Sequence, residues 1–329
     1  LLLMKFTRLT GNTKALSAGC AVLAVLFFSL NDASIKFLSG NYALHQIVLV
    51  RSLIGLLVLV AIFIPFHGTF TVLKTKRLGM HILRGLAVVF ANLTFFLGLA
   101  ELPLAEATSI FFVSPLLITI FSVLFLKEQV GIHRWGSVFI GLVGVLIIIR
   151  PGTEAFKLAS LLPIAAALGY AALHMLTRHI GKTESALTMS FYIQMTFIFI
   201  CAVFWLVVSD GRFATEESPA LNFLLREWAD LKKEDWSVFA LLGASSAFGG
   251  FLISQAYRKA EAAFVAPFEY VAMPLSIFWG MLVFKNTPDL QSFFGMGMIV
   301  GSGLYIIWRE TISSQKATQP SGASPRFRR

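Results

Sequence analysis

The sequence predicts an all-α integral membrane protein with ten transmembrane helices in two inverted five-helix repeats. Three observations lead there. The 329 residues are 57% hydrophobic and only 13% charged, with a mean hydropathy of +0.79, whereas a soluble domain carries roughly 25% charged residues. Apolar runs of about 20 residues, enough to span a ~30 Å hydrocarbon core, recur about ten times. Runs such as Val138–Ile149 show no alternation of polar and apolar residues. Barrel strands are thereby excluded, and helices must satisfy the backbone groups that lie in lipid.

The runs are 16–38, 43–66, 79–100, 104–126, 133–150, 158–177, 186–209, 236–257, 262–284 and 290–308. The first follows a basic lead of Lys5, Arg8 and Lys14 but is longer than the 7–15-residue core of a signal peptide, so it reads as a retained helix. Ser39–Tyr42, Glu101–Pro103 and Lys259–Glu261 read as tight hairpins. Asp210–Asp235 is the long link. There Ser218-Pro219 has the form of an N-cap and first helical residue. Leu221, Leu224, Leu225, Trp228 and Leu231 follow at helical spacing, which predicts a short amphipathic helix on the membrane surface. The tail beyond the last run is rich in Ser, Gln, Pro and Gly and predicts disorder. Small residues at Ser137 and Gly141, and again at Gly297 and Gly301, suit close helix contact. The Gly297–Gly301 face suits contact within one chain or between two copies in a homodimer.

Charge sets the orientation. With the N-terminus inside, about 18 of the 27 Lys and Arg fall on the cytoplasmic side, Arg84 among them, and about eight outside, as the positive-inside rule requires. The net charge of +10 thus reports topology and not a nucleic-acid partner. Cys20 and Cys201 lie in apolar runs, give neither a disulfide framework nor a metal site, and read as packing residues. No H-E-x-x-H, G-x-S-x-G or phosphate-cradling loop occurs. An enzyme with a cofactor or metal is therefore not expected.

A shift of 158 residues aligns Gly85 with Gly243, Ala105 with Ala263, Val113 with Val271 and Lys127 with Lys285. Prolines fall at matching places in the fourth and ninth runs, Pro115 and Pro274. Five helices per half would set the second half upside down relative to the first, the plan of secondary transporters with a midplane site.

The chain resembles the EamA-type permeases of the drug/metabolite transporter superfamily across about residues 16–308. In the first half the likeness rests on Arg51, Pro103-Leu104-Ala105-Glu106-Ala107, Ser114-Pro115-Leu116, Leu126-Lys127-Glu128, Gly141–Val145 and Arg150-Pro151-Gly152. In the second it rests on Ala256-Tyr257, Ala266-Pro267-Phe268-Glu269-Tyr270 and the glycine-rich tenth run. The second half departs from the pattern where Lys285-Asn286 stand in place of the usual acid. The resemblance implies a cytoplasmic N-terminal segment 1–15, EamA-like five-helix repeats 16–150 and 158–308, and a basic cytoplasmic tail 309–329. It implies carriage of amino acids, nucleosides, vitamins or other small metabolites.

Ionisable groups in a membrane helix are costly and mark function. Asp32 and Arg51 fall roughly 12–14 Å below the outer end of one hairpin, at 1.5 Å per residue, with Lys36 one turn above Asp32 and placed to share it. Glu269, beside Pro267, is the candidate for proton coupling. His174 brings an imidazole, a group that ordinarily titrates near neutrality and could carry a proton, and has Tyr170 one turn before it. Asn92, Gln194, Gln255, Tyr257 and Tyr270 are neutral polar groups able to orient a ligand. Asp32, Arg51, Asn92, His174, Gln255, Tyr257, Glu269 and Tyr270 are therefore the expected substrate-binding or coupling residues. The expected function is proton-coupled, alternating-access transport of a small polar or amphipathic metabolite across a bacterial inner membrane. The rivals are a membrane-embedded enzyme acting on a lipid-linked substrate and a non-transporting helical module.

Overall fold

The computed structural model describes residues 13–63, 65, 73–152, 157–215 and 217–318, except the side chains of 306, 307 and 310–318. Helix α1 is Thr13–Leu38. Helix α2, Leu44–Val58, runs on through a π turn at Leu59–Phe63. Helix α3 spans Leu78–Glu101, α4 Leu104–Phe111, α5 Ser114–Leu126 and α6 Ile132–Ile149. Then come α7 Leu161–Ile180, α8 Ala186–Val208, the short α9 Pro219–Leu225 and α10 Trp236–Lys259. Helix α11, Ala262–Val265, passes through a 3₁₀ segment, Ala266–Val271, into α12, Ala272–Leu282. Helix α13 spans Leu290–Thr318.

Among the described residues there is no strand, and nine helical spans are long and apolar enough to cross a membrane. Helices α4 with α5, and α11 with α12, each count as one of these, and the tenth expected run lies in α13. The protein is an all-α integral membrane protein. Its outer wall shows large apolar side chains such as Leu57, Phe125 and Leu206 to the surroundings, a face that hydrocarbon tolerates and water does not. Residues 13–15 of the expected N-terminal segment already belong to α1, and the rest of that segment lies outside the described residues. The expected tail is corrected in part. Residues 309–318 continue α13, because no helix breaker occurs before Pro320; residues 319–329 lie outside the described residues.

Helix α1 lies along α10, and α3 along α7; α2 packs on α8 and α10, and α8 returns to α3. Helices α6 and α13 pair at the side of this group. Their contact is made by Gly144 and Gly295: a Cβ on either would stand 2.7 Å from the other's carbonyl oxygen. Gly141 also faces the interior, with Leu116 and Ser302 at 3.2 and 3.4 Å from such a Cβ. A Cβ at Gly297 or Gly301 would meet nothing within 4 Å, so the face expected there makes no close helix contact among the described residues. Gly295, two residues earlier, is the one that points at α6.

Two spans are broken at corresponding places. Pro115 cannot donate to the fourth span's ladder and its ring crowds the carbonyl one turn back, and α4 gives way to α5 through a turn at Phe112-Val113. Pro274, the matched proline, does the same in the ninth span, where its ring faces the Tyr270 carbonyl and the six residues Ala266–Val271, with Pro267 at their start, tighten into 3₁₀ geometry, a long run for a form usually limited to 3–4 residues. Both spans are followed by a lysine in left-handed conformation, Lys127 at φ 55° and Lys285 at φ 53°. These are the two positions that the 158-residue shift aligns.

The long link also departs from expectation. Ser218 caps α9, accepting from the Leu221 amide at 3.3 Å, but the helix ends at Leu225 because Arg226 turns extended. It does not lie loose on the membrane surface. Phe223 is buried, and Leu224 and Leu231 pack on the core. Glu101 accepts from the Ser218 hydroxyl and the Ala220 amide, and Gln46 both donates to and accepts from the Ala229 backbone, at 2.6 and 3.2 Å. Partners so distant in sequence leave no trace in local periodicity.

These contacts predict unequal glycines. Gly144→Leu should lower the thermal unfolding midpoint in detergent, overpacking costing about 1–3 kcal/mol. Gly301→Leu should stay within about 0.5 kcal/mol of the parent.

Candidate functional site

Helices α1, α2, α3, α4, α7, α8 and α10 and the 3₁₀ segment line a cavity of about 150 Å³. Its walls are largely aromatic, with Phe28, Phe95, Phe96, Phe111 and Phe197 among them, and polar groups enter in three tiers.

In the first tier the charged and amide groups all come from the first half. Arg51 on α2 is buried and donates to the amide oxygens of Asn31, at 3.4 Å, and Asn92, at 3.3 and 3.4 Å. Its guanidinium also lies over the Phe197 ring, 4.8 Å from the centroid, a favourable cation–π placement. Asn31 donates in turn to Asp32 at 3.2 Å. The amide thus stands between the charges, and Arg51 and Asp32 do not form the direct pair that their common depth suggested. Lys36 does not share Asp32 either. It turns outward to the Leu99 and Leu102 carbonyls, at 2.7 and 2.8 Å, and caps the C-terminal end of α3.

The middle tier comes wholly from the second half. Glu269, held on the 3₁₀ segment, accepts from the Tyr170 hydroxyl at 2.8 Å and from the Tyr257 hydroxyl. His174 stacks on Tyr257 with centroids 3.8 Å apart and meets Tyr170 edge-on at 4.2 Å. Both its ring nitrogens are buried without a hydrogen-bond partner. Positions 170, 174 and 177 recur at i, i+4 and i+7, so α7 presents all three side chains on one face.

The third tier joins the halves. Arg84 on α3 donates through Nε to Thr177 Oγ1 at 3.0 Å and through Nη1 to the Met189 carbonyl at 3.4 Å. Orientation counting had put Arg84 at the cytoplasmic surface; it is instead 1% exposed and lines the cavity. The signal was present, since residue 84 falls inside the apolar run 79–100, but counting basic residues by loop absorbed it.

Of the residues expected from sequence, Asp32, Arg51, Asn92, His174 and Glu269 line the cavity. Tyr257 stands behind it, bonded to Glu269. Gln255 and Tyr270 are not brought to it. Gln255 accepts from Arg258 at 3.1 Å, and Tyr270 packs on Phe112 and against Gly303. Asn31, Ser190 and Ser254 line the cavity although short polar side chains in a span gave no distinctive pattern; Gln194 lines it too and bonds Ser246. Among the described residues no three His, Cys, Asp or Glu side chains are grouped to hold a metal.

Bonds between the two halves close both ends. At the end where α1 meets α2, Tyr42 donates to Asp235 at 2.6 Å, beside the Gln46–Ala229 pair. At the other end Glu128, after α5, accepts from the Ala262 and Ala263 amides at 3.2 and 3.3 Å and so caps α11, a favourable place for a carboxylate. Asn286, the residue matching Glu128 under the 158-residue shift, uses its own amide on the Gly280 carbonyl at 3.0 Å. Near it Arg150 and Ser292 hold the exposed Asp289 carboxyl down at about 2. That contribution is complete above the usual carboxylate range near pH 4 and is lost as pH falls through 2.

With this geometry the class of protein is set: a helical membrane protein built around an aromatic-walled cavity into which buried polar groups enter. Residues 16–150 match the model of the EamA-like transporter family, and the resemblance to EamA-type permeases is borne out. It is 28% identical to the S-adenosylmethionine uptake transporter of Rickettsia bellii (strain RML369-C), over 92% of this chain and 97% of that one. It is 28% identical to the riboflavin transporter of Vibrio cholerae serotype O1, over 89% and 93%, and 27% identical to that of Brucella anthropi, over 74% and 82%. A solved crystal structure, 16% identical, superposes with a TM-score of 0.66 over 92% of this chain and 99% of its own, and shares the fold. The names of the family and relatives point to transporters and not to enzymes.

The Glu128 cap yields a prediction. Glu128→Ala frees two amides at the start of α11, and the thermal midpoint in detergent should fall by the equivalent of about 1–2 kcal/mol. Asp289→Asn, at a half-exposed pair, should cost no more than about 1 kcal/mol.

Proposed function

We propose that the chain is a secondary-active transporter of a small polar or amphipathic metabolite, of amino-acid, nucleoside or vitamin-like kind. It works by alternating access and is coupled to protons. The observation that carries this reading is the cavity lined by both halves. Each half contributes its own charged tier, and the ends are closed by hydrogen bonds between the halves, which a rocking motion can exchange. Such a midplane site between inverted repeats is the plan of many carriers. The pairing of α1 with α10 against α3 with α7, and of α2 with α8 and α6 with α13, supports the inverted arrangement of repeats 16–150 and 158–308. The relatives named for S-adenosylmethionine uptake and riboflavin transport support a small-metabolite solute, and the aromatic walls suit a flat ring.

Glu269 is the coupling group. Its two oxygens accept from two tyrosine hydroxyls, and it is the carboxylate that the second half brings to the cavity. A proton bound there can therefore be exchanged when the cavity opens to water or receives a solute. In this reading the protein sits in a bacterial inner membrane with both termini in the cytoplasm, the side to which its short basic clusters belong.

The test is uptake of radiolabelled S-adenosylmethionine and riboflavin into proteoliposomes under an imposed pH gradient. Glu269→Gln should abolish accumulation driven by the gradient and leave counterflow exchange intact. Accumulation equal to the parent's would remove Glu269 from coupling; absence of flux for every metabolite tried, with the parent folded, would count against transport.

A further inference from the structure

The third tier has a feature that packing does not explain. Arg84 is a fully buried cation whose two bonds go to a hydroxyl and a peptide carbonyl. Among the described residues no carboxylate lies within 4.0 Å of its guanidinium. The other buried guanidinium in the cavity, Arg51, at least has Asp32 within electrostatic reach through Asn31. A buried charge without a counter-charge is costly, and native proteins rarely leave one without a reason.

Two further groups at this end of the cavity are also unsatisfied. Both ring nitrogens of His174 and the hydroxyl of Ser190 are buried, line the cavity and have no hydrogen-bond partner. His174 is three residues before the Thr177 that holds Arg84, on the same face of α7. Ser190 follows Met189, whose carbonyl holds the same guanidinium. A guanidinium, an imidazole and a hydroxyl from α3, α7 and α8 therefore line one cavity, each able to donate, and among the described residues no carboxylate bonds any of them. Unsatisfied donors in a buried, roomy place call for an acceptor that arrives from outside.

We propose that Arg84, His174 and Ser190 form a receptor for an oxyanion, the carboxylate or phosphate of the transported solute. This rests on the transporter reading above and narrows it to solutes that carry an acidic group beside a flat or apolar body. Arg84 lies eight residues before Asn92 on α3, so the receptor is about 12 Å along the helix from the Arg51 tier. A solute held here would lay its ring between the phenylalanines and point its uncharged or cationic end toward Asp32.

The test reads charge preference at the receptor and needs no knowledge of the solute. Ser190→Cys is placed in a chain carrying Cys20→Ala and Cys201→Ala and reconstituted in liposomes. Its rates with anionic sulfonatoethyl and cationic trimethylammonioethyl methanethiosulfonate are each divided by the rate with a free thiol. The anionic reagent should be favoured at least about tenfold. Arg84→Gln should remove that preference and Arg84→Lys should keep most of it; if Arg84→Gln does not fold, the lysine variant and the parent ratio still decide the sign. Equal rates, a cationic preference, no reaction with either reagent, or a preference that survives Arg84→Gln would each overturn the proposal. Loss of the preference with metabolite flux intact would fault the receptor alone. A tenfold preference without flux would fault the transporter reading and leave the receptor standing.

Discussion

Hydrocarbon offers no partner to a charge or to a free peptide group, and the ways this chain meets that constraint shape its interior. Arg51 is the clearest case. Two asparagine oxygens and a phenylalanine face surround its guanidinium, which ties α1, α2 and α3 into one unit at the depth of the cavity. Remove that tie and the first tier has no fixed geometry. Glu269 plays the matching part in the other half, where two tyrosines from α7 and α10 hold a carboxylate presented by a broken helix.

The breaks follow from the same constraint. A proline in a spanning helix frees a carbonyl that lipid cannot satisfy, so irregular backbone is confined to where protein or a cavity covers it. Pro267 lies at such a place. The 3₁₀ turn that starts beside it carries Glu269 to the cavity and Tyr270 away from it, although the two are neighbours in sequence. Helix α7, unbroken at this depth, instead brings Tyr170, His174 and Thr177 to one face, and so links the Glu269 tier to the Arg84 tier.

Much of this was legible in the sequence. The spans, the Ser218 cap, the matched Lys127 and Lys285, and the polar residues Asp32, Arg51, Asn92, His174 and Glu269 all follow from hydropathy, proline placement and the cost of burying charge. What stayed hidden depends on contacts across the fold. Gln255 lies two residues from Tyr257 yet faces Arg258, because helical phase within a span that is polar on several sides does not identify the cavity side. Arg84 was read as a surface charge since counting basic residues cannot tell a residue one and a half turns inside a helix from one in the loop. The docking of α9 relied on Gln46 and Glu101, more than a hundred residues away. The small-residue face of α13 was misplaced by two positions, enough to turn it from α6 to the outside.

The central claim is that the two halves move against each other around the buried tiers. The direct measurement uses spin labels in lipid nanodiscs, one pair at Phe37 and Leu221 across the end where α1 meets α2 and another at Phe125 and Lys259 across the opposite end. All four positions are exposed. The account predicts two populations in which one distance lengthens as the other shortens, with their balance shifting as pH is changed. A single fixed distance for both pairs under every condition would contradict it.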